Sequence, residues 1–235
     1  MGRGQGPVNP YAPFVRDLAR YEVLEALKAA AQRLQEEDIS SLIPEVMTNL
    51  GYAAPCAESS QDIAAFPGRL VKTPQGLVIP APPAFGASRH IAALILAVME
   101  AQPELRAAMN IRYFQGIEEL APLLHLRGVS MDGDRVPPEG SPCRAAAWAS
   151  QAQDLQWDLL YDTGGFGREP MLYILGANPM AVAEKALALK NALAAAGKLG
   201  EEVRAGALSP LPHTTALSAP SASGLGPLPG RGRKP

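Results

Sequence analysis

The run Trp157-Asp158-Leu159-Leu160-Tyr161, then Asp162-Thr163-Gly164-Gly165-Phe166-Gly167-Arg168-Glu169, then Met171-Leu172-Tyr173-Ile174-Leu175 is the stretch whose reading decides the fold. Two short apolar segments flank a loop with three glycines, which predicts two strands joined by a connection. Asn178-Pro179 follows, a cap and a first-turn proline for a helix that carries Val182, Ala186, Leu189 and Leu193 on one face and ends at Gly197.

The same alternation of elements continues toward the N-terminus. Gly128 to Met131 reads as a strand, and so does Asn110 to Phe114, whose alternation sends Ile111 and Tyr113 to one face and Asn110, Arg112 and Phe114 to the other. Arg112 is thereby expected as a charge within a core strand. Between these strands lies a weak helix around Ile117 to Leu126, interrupted by Pro122, and Ser141-Pro142 opens another helix through about Ala152. Ser88 is a good N-cap for a helix with Ile91, Leu94, Ile95, Val98 and Met99, apolar all round and therefore buried. Arg69 to Thr73 and Leu77 to Pro80 flank Pro74-Gln75-Gly76, a hairpin signature. Tyr52-Ala53-Ala54-Pro55 reads as a short extended piece, and Ser60 to Ala64 as a small turn or helix start. Phe14, Leu18, Tyr21, Leu24, Leu27, Ala31 and Leu34 form one face of an amphipathic helix from about Phe14 to Glu37. Helices interleaved with strands argue for a layered α/β or α+β domain.

A length of 235 residues suits one domain or two small ones. The segment from Gly206 to Pro235 is rich in Pro, Gly, Ser, Ala and Thr and lacks an apolar period, so the expected organisation is a flexible 1–12, a domain over 13–205 and a disordered tail over 206–235. With 21 Lys and Arg against 23 Asp and Glu, no global basic field exists to hold nucleic acid by counterion release. The two cysteines, Cys56 and Cys143, are far apart and build neither a disulfide framework nor a four-cysteine zinc site. No apolar run reaches membrane-span length, and Met1-Gly2-Arg3-Gly4 leads into no signal-peptide region. The expectation is a soluble, cytoplasmic protein with neither nucleic acid nor membrane as partner.

Three stretches bear chemistry. Phe85-Gly86-Ala87-Ser88-Arg89-His90 heads the apolar helix, where free backbone N–H groups and the positive end of the dipole make an anion site. Gly86 admits a ligand close to the backbone, Arg89 offers a planar fork for phosphate and His90 an adjustable donor. The competing reading is that Ser88 only caps, Arg89 pairs with a surface acid and His90 is a satisfied donor. In the glycine loop, Asp162 suits a metal or a ligand hydroxyl, Arg168 suits phosphate, Glu169 fixes that arginine, and Gly164, Gly165 and Gly167 either admit a ligand or merely relieve a tight connection. No Walker-type Gly-Lys-Ser or Gly-Lys-Thr follows. Asn110 and Arg112 share a strand face, where Arg112 serves a ligand or a structural partner such as Asp162 or Glu169. Asn49 and Arg69 are polar residues in apolar neighbourhoods. His125 reads as structural and His213 lies in the tail, so a three-histidine metal centre is disfavoured.

Taken in order, Ile43-Pro44-Glu45-Val46 through Asn49-Leu50, Pro67-Gly68-Arg69, Gly86-Ala87-Ser88-Arg89-His90, Met109-Asn110-Ile111-Arg112-Tyr113 and Tyr161 to Pro170 resemble the ThiN-type thiamine-phosphate synthase domain, found mainly in archaea. The likeness covers roughly Tyr21 to Leu193, in the stand-alone form without the fused pyrimidine kinase. It implies a three-layer α/β/α domain with a mixed sheet, similar to the class II aldolase architecture. It also implies a transferase that joins hydroxymethylpyrimidine diphosphate to a hydroxyethylthiazole phosphate, releasing pyrophosphate. A related form senses thiamine phosphates for a DNA-binding regulator without turnover, and tends to lose the helix-start arginine and histidine that Arg89 and His90 supply here. Arg168 stands where lysine is common. On the enzyme reading Arg89 and His90 are catalytic, Gly86, Ser88, Asn110, Arg112, Asp162, Gly164, Gly165, Gly167 and Arg168 bind substrate, and Mg²⁺ bridges the diphosphate with Asp162 or Glu169 as ligands. Both substrates are small phosphorylated molecules, and homo-oligomerisation stays open.

Overall fold

The computed structural model describes residues 12–131, 144–149, 157–165 and 169–206. The expected flexible N-terminus up to residue 11, the tail beyond 206, the start and end of the helix expected from Ser141 to Ala152, and Gly167 and Arg168 lie outside the described residues. The chain divides into two compact units, Met1–Gly197 and Lys198–Pro235. In the second unit the described part is helix.

In the first unit the elements run α1 (Ala12–Glu36), β1 (Leu50–Ala53), β2 (Ile63–Ala65), β3 (Val71–Thr73), β4 (Gly76–Val78), β5 (Ala84–Phe85), α2 (Arg89–Ala101), β6 (Ala107–Arg112), α3 (Ile117–Leu123), β7 (Gly128–Ser130), α4 (Arg144–Ala149), β8 (Leu159–Asp162), β9 (Met171–Gly176) and α5, which spans Pro179–Gly206. Seven strands form one sheet in the order β5-β2-β1-β6-β9-β8-β7, and β3 pairs with β4 in a separate hairpin. The large sheet is mixed. β7 and β8 are parallel, while the remaining neighbours are antiparallel.

Both faces of this sheet are covered. Leu27, Ala30, Ala31 and Leu34 of α1 and Val182, Ala183, Ala186 and Leu189 of α5 pack with Leu50, Ala107, Met109, Ile111, Leu159, Leu172 and Ile174. On the opposite face Ile91, Leu94, Ile95 and Val98 of α2 and Ala145, Trp148 and Ala149 of α4 pack with Ala53, Ala108, Leu160, Tyr173 and Leu175. The result is the expected three-layer α/β/α arrangement. A strand enclosed on both sides reads as a continuous apolar run, and all six residues of β9 are buried. Gly51 lets α2 come close, for a Cβ there would lie 2.3 Å from Ile91 Cγ2.

The caps act as the sequence implies. Ser88 Oγ accepts from the Ile91 N–H at 3.4 Å and Asn178 Oδ1 from the Ala181 N–H at 2.9 Å.

Several expectations change. β6 begins at Ala107 and ends at Arg112, which is exposed rather than in the core; its Nε donates to the Ser41 carbonyl. The strand ends before the alternation reaches Phe114, which is buried on the α1 side with Ile111. On α1 only the C-terminal part of the apolar stripe is covered. Phe14, Leu18 and Tyr21 are 74%, 58% and 59% exposed. Gly197 does not end α5, which continues to Gly206.

Candidate functional site

The strand ends gather the site. Asp162 closes β8, Asn110 lies near the end of β6, Met131 follows β7, Met171 and Tyr173 begin β9, and Asn49 precedes β1. Against this end of the sheet stands the N-terminus of α2 with Ser88 and His90. These residues, with Val46, Met47, Arg69, Ile91 and Glu169, line a cavity of about 420 Å³.

His90 is set by the helix and by the sheet together. Its Nε2 lies 3.2 Å from the Tyr173 hydroxyl, and the two rings stack with centroids 6.1 Å apart. Ser88 fixes the first turn; His90 and Arg89 are both exposed, but His90 lines the cavity while Arg89, about 100° around the helix, does not. Among the described residues the Arg89 side chain makes no hydrogen bond or ion pair. Arg69 does line the cavity. It follows the left-handed Gly68, has φ of +67° itself, and its guanidinium donates to the Val46 carbonyl. Arg69 is the sole arginine among the described lining residues, and with the N-terminus of α2 it makes the positive side of the site.

The two asparagines hold the frame. Asn49 Oδ1 accepts from the Phe66 N–H at 2.9 Å while its Nδ2 donates to the Phe66 carbonyl at 3.0 Å. Asn110 Oδ1 accepts from the Asn49 N–H at 2.8 Å, and its Nδ2 donates to the Met47 carbonyl at 2.9 Å. Asn110 Nδ2 also lies 3.6 Å from Met171 Sδ, so its amide is spent within the protein, as buried polar groups must be, and it lines the cavity as a support.

The negative side consists of Asp162 and Glu169. Asp162 is 3% exposed, and its Oδ1 accepts from the Gly164 N–H at 2.8 Å, a local turn that starts the loop with Gly164 at φ +87°. Glu169 Oε1 accepts from the Glu45 N–H at 2.8 Å and Oε2 from the Val46 N–H at 3.2 Å. Glu169 thus spends both oxygens on backbone donors and does not fit a metal ligand set. Among the described residues no three His, Cys, Asp or Glu side chains gather for a metal. Asp162 fits as a single carboxylate for Mg²⁺, which takes one or two protein carboxylates and fills its shell with substrate phosphate and water.

Of the remaining expected residues, Gly86 has φ of +74° and donates its N–H to the Ile63 carbonyl at 2.9 Å; a Cβ there would meet the Gln61 amide at 2.8 Å. It shapes the approach to Ser88 but does not line the cavity. Gly165 is exposed, Arg112 points to Ser41, and neither lines it. Gly167 and Arg168 lie outside the described residues. Sequence reasoning passed over Tyr173, whose hydroxyl is hidden in an apolar run, and over Met47, Met131 and Met171, three polarisable side chains suited to a flat ring.

The family described as "Thiamine-phosphate synthase ThiN" matches residues 26–188. The chain is 35% identical over 170 residues to the "Bifunctional thiamine biosynthesis protein ThiDN" of Methanocaldococcus jannaschii, with 70% of this chain and 39% of that protein covered. It is 30% identical over 171 residues to the "Thiamine-phosphate synthase ThiN" of Methanothermobacter thermautotrophicus, with 70% of this chain and 90% of that protein covered. The chain thus spans well under half of the bifunctional relative and nearly all of the shorter one. Among solved structures it is similar to the C-terminal domain of protein MJ0236, at a TM-score of 0.65 and 33% identity over 73% of this chain and 95% of that one. The C-terminal domain of a phosphomethylpyrimidine kinase is also similar, at a TM-score of 0.63 and 30% identity over 74% and 99% of the two chains.

Proposed function

This chain belongs to the ThiN thiamine-phosphate synthase family, and we propose that it joins hydroxymethylpyrimidine diphosphate to hydroxyethylthiazole phosphate. The bond from the pyrimidine methylene carbon to the diphosphate oxygen breaks, and its electron pair leaves with pyrophosphate. The ring-stabilised cation is then attacked by the thiazole nitrogen lone pair, which gives thiamine phosphate. No proton need move at the reacting carbon, so the protein's task is to neutralise a leaving anion and align two partners.

The observation that carries this reading is the convergence of Arg69, His90 and the N-terminus of α2 on one cavity. Arg69 offers a fork to the diphosphate, His90 a second donor, and the helix end a fixed partial positive charge. Tyr173 orients His90. Met47, Met131 and Met171 supply the apolar wall against which a heteroaromatic ring stacks. When bound, Mg²⁺ would neutralise part of the diphosphate charge, with Asp162 as its protein carboxylate.

The test is pyrophosphate release by the purified protein with both substrates and Mg²⁺, together with detection of thiamine phosphate. Release that requires both substrates supports the synthase. Binding of thiamine phosphate with no release under Mg²⁺, Mn²⁺ or Co²⁺ sinks it and leaves a sensing domain.

A further inference from the structure

A carboxylate on the wall of a cavity that receives an anion is unfavourable unless it has other work. Glu169 has such work. It reaches across 124 residues of sequence to bind the successive N–H groups of Glu45 and Val46 at 2.8 and 3.2 Å. The turn it holds is strained, since Met47 has φ of +66°, a conformation that side-chain-bearing residues seldom adopt. The carbonyl of Val46 in that turn accepts from Arg69, itself at φ +67°. Two strained backbone segments therefore meet at a single guanidinium–carbonyl contact, and Glu169 fixes the two peptides that lead into the residue presenting the carbonyl.

We propose that Glu169 is a positioning residue: by clamping the Glu45 and Val46 N–H groups it aims the Val46 carbonyl at Arg69, and so presents that guanidinium to a diphosphate or other phosphate anion in the cavity. The proposal rests on the reading of the cavity as a diphosphate site. Glu169 is not the turn's only anchor, for Asn110 Nδ2 holds the Met47 carbonyl at 2.9 Å and Met47 N–H bonds to the Pro44 carbonyl at 3.0 Å. Loss of Glu169 therefore leaves the turn closed but frees the Pro44–Glu45 and Glu45–Val46 peptides to shift, which displaces the Val46 carbonyl and alters the aim of Arg69 more than the stability of the fold.

The test is a double-mutant cycle with inorganic pyrophosphate as the probe, on wild type, E169Q, R69A and the double variant, with Mg²⁺ present throughout. Affinity is read by calorimetry, and for the weakest variants by the rise in Tm at millimolar pyrophosphate. E169Q should weaken binding about tenfold in the wild-type background and less than about twofold once Arg69 is gone. In turnover, E169Q should raise KM for the diphosphate substrate more than it lowers kcat. If E169Q does not melt cooperatively, E169D, which keeps the charge but is one methylene short, enters the cycle in its place. An equal loss in both backgrounds, no loss, or tighter binding by E169Q overturns the proposal, as does a wild type that binds no pyrophosphate. Coupling on pyrophosphate binding without turnover would leave Glu169 in its role and remove the synthase reading. Turnover without coupling would do the reverse.

Discussion

The Tyr173 hydroxyl stands 3.2 Å from His90 Nε2, and the two rings stack, so a strand residue enclosed in the core controls a helix residue at the mouth of the cavity. Tyr173 is 6% exposed and keeps its ring packing when the hydroxyl is removed. Tyr173→Phe should therefore remove the contact with His90, a hydrogen bond of about 1 kcal/mol, or about fivefold in turnover. Its Tm should stay within about 2 °C of wild type, because water can replace the hydroxyl at the exposed imidazole. Turnover equal to wild type in the assay of pyrophosphate release would show that the hydroxyl does not orient His90.

Arg69 and Arg89 separate by position rather than by charge. Both are exposed, but Arg69 lines the cavity, whereas Arg89, at the first position of α2, does not. Arg69→Ala removes a charge-assisted contact of about 1.5 to 3 kcal/mol, equal to a loss of roughly ten- to a hundredfold in kcat/KM. Arg89→Ala should change kcat/KM by less than about threefold, and it should not lower Tm, since a cation at a helix N-terminus opposes the dipole. The reverse ranking in steady-state kinetics would return the catalytic role to Arg89.

These contrasts mark where the sequence is legible. Ser88 and Asn178 are readable as caps because a cap is a local contact, and β8 and β9 because two short, mostly apolar runs with glycine between them admit few other readings. Periodicity also finds α1, but it cannot tell which turns of the stripe are covered, and Phe14 and Leu18 are not. Arg69 reaches the cavity through the bridge between Thr48 and Leu70, a pairing across the chain that no local pattern announces. The roles of Asn110 and Glu169 are equally non-local. Each has the residue type of a ligand contact, and each spends its polar atoms on backbone from distant segments.

Asp62 gives a prediction in pH. The Ser59 hydroxyl, then the Glu58 and Ser59 N–H groups and Arg20, hold its carboxyl below the ordinary value for aspartate. A carboxyl lowered in the folded state contributes stability that is present above its unfolded pKa of about 4 and is lost as pH falls through the lower folded value. Asp62→Asn, which mimics the protonated form, should cost about 1 kcal/mol at pH 7, or about 2 to 4 °C in Tm. The gap between the two proteins should narrow as pH falls below about 4. A gap in thermal melts that stays constant or widens in that direction would show that the ionised carboxylate of Asp62 does not stabilise the fold.

Gly51 ties packing to function. A Cβ at this position would lie 2.3 Å from Ile91 Cγ2 and 3.0 Å from Ile95 Cδ1, both on the buried face of α2. Neither side chain has room to retreat, because Ile91 and Ile95 are each 1% exposed. Gly51→Ala should therefore push the N-terminal half of α2 away from the sheet, at about 1 to 3 kcal/mol of overpacking, which lowers Tm by about 3 to 10 °C. The same shift carries His90, the neighbour of Ile91, away from Tyr173, so turnover should fall in the surviving folded protein as well. Gly197→Ala is the control: a Cβ there meets nothing within 4 Å, and alanine favours helix, so Tm should hold or rise. Melting curves and pyrophosphate release measured on both variants decide the matter. If Gly51→Ala melts with wild type, α2 does not depend on that close approach; if it melts early yet retains full kcat in the folded state, the position of His90 is set by something other than the contact of α2 with β1.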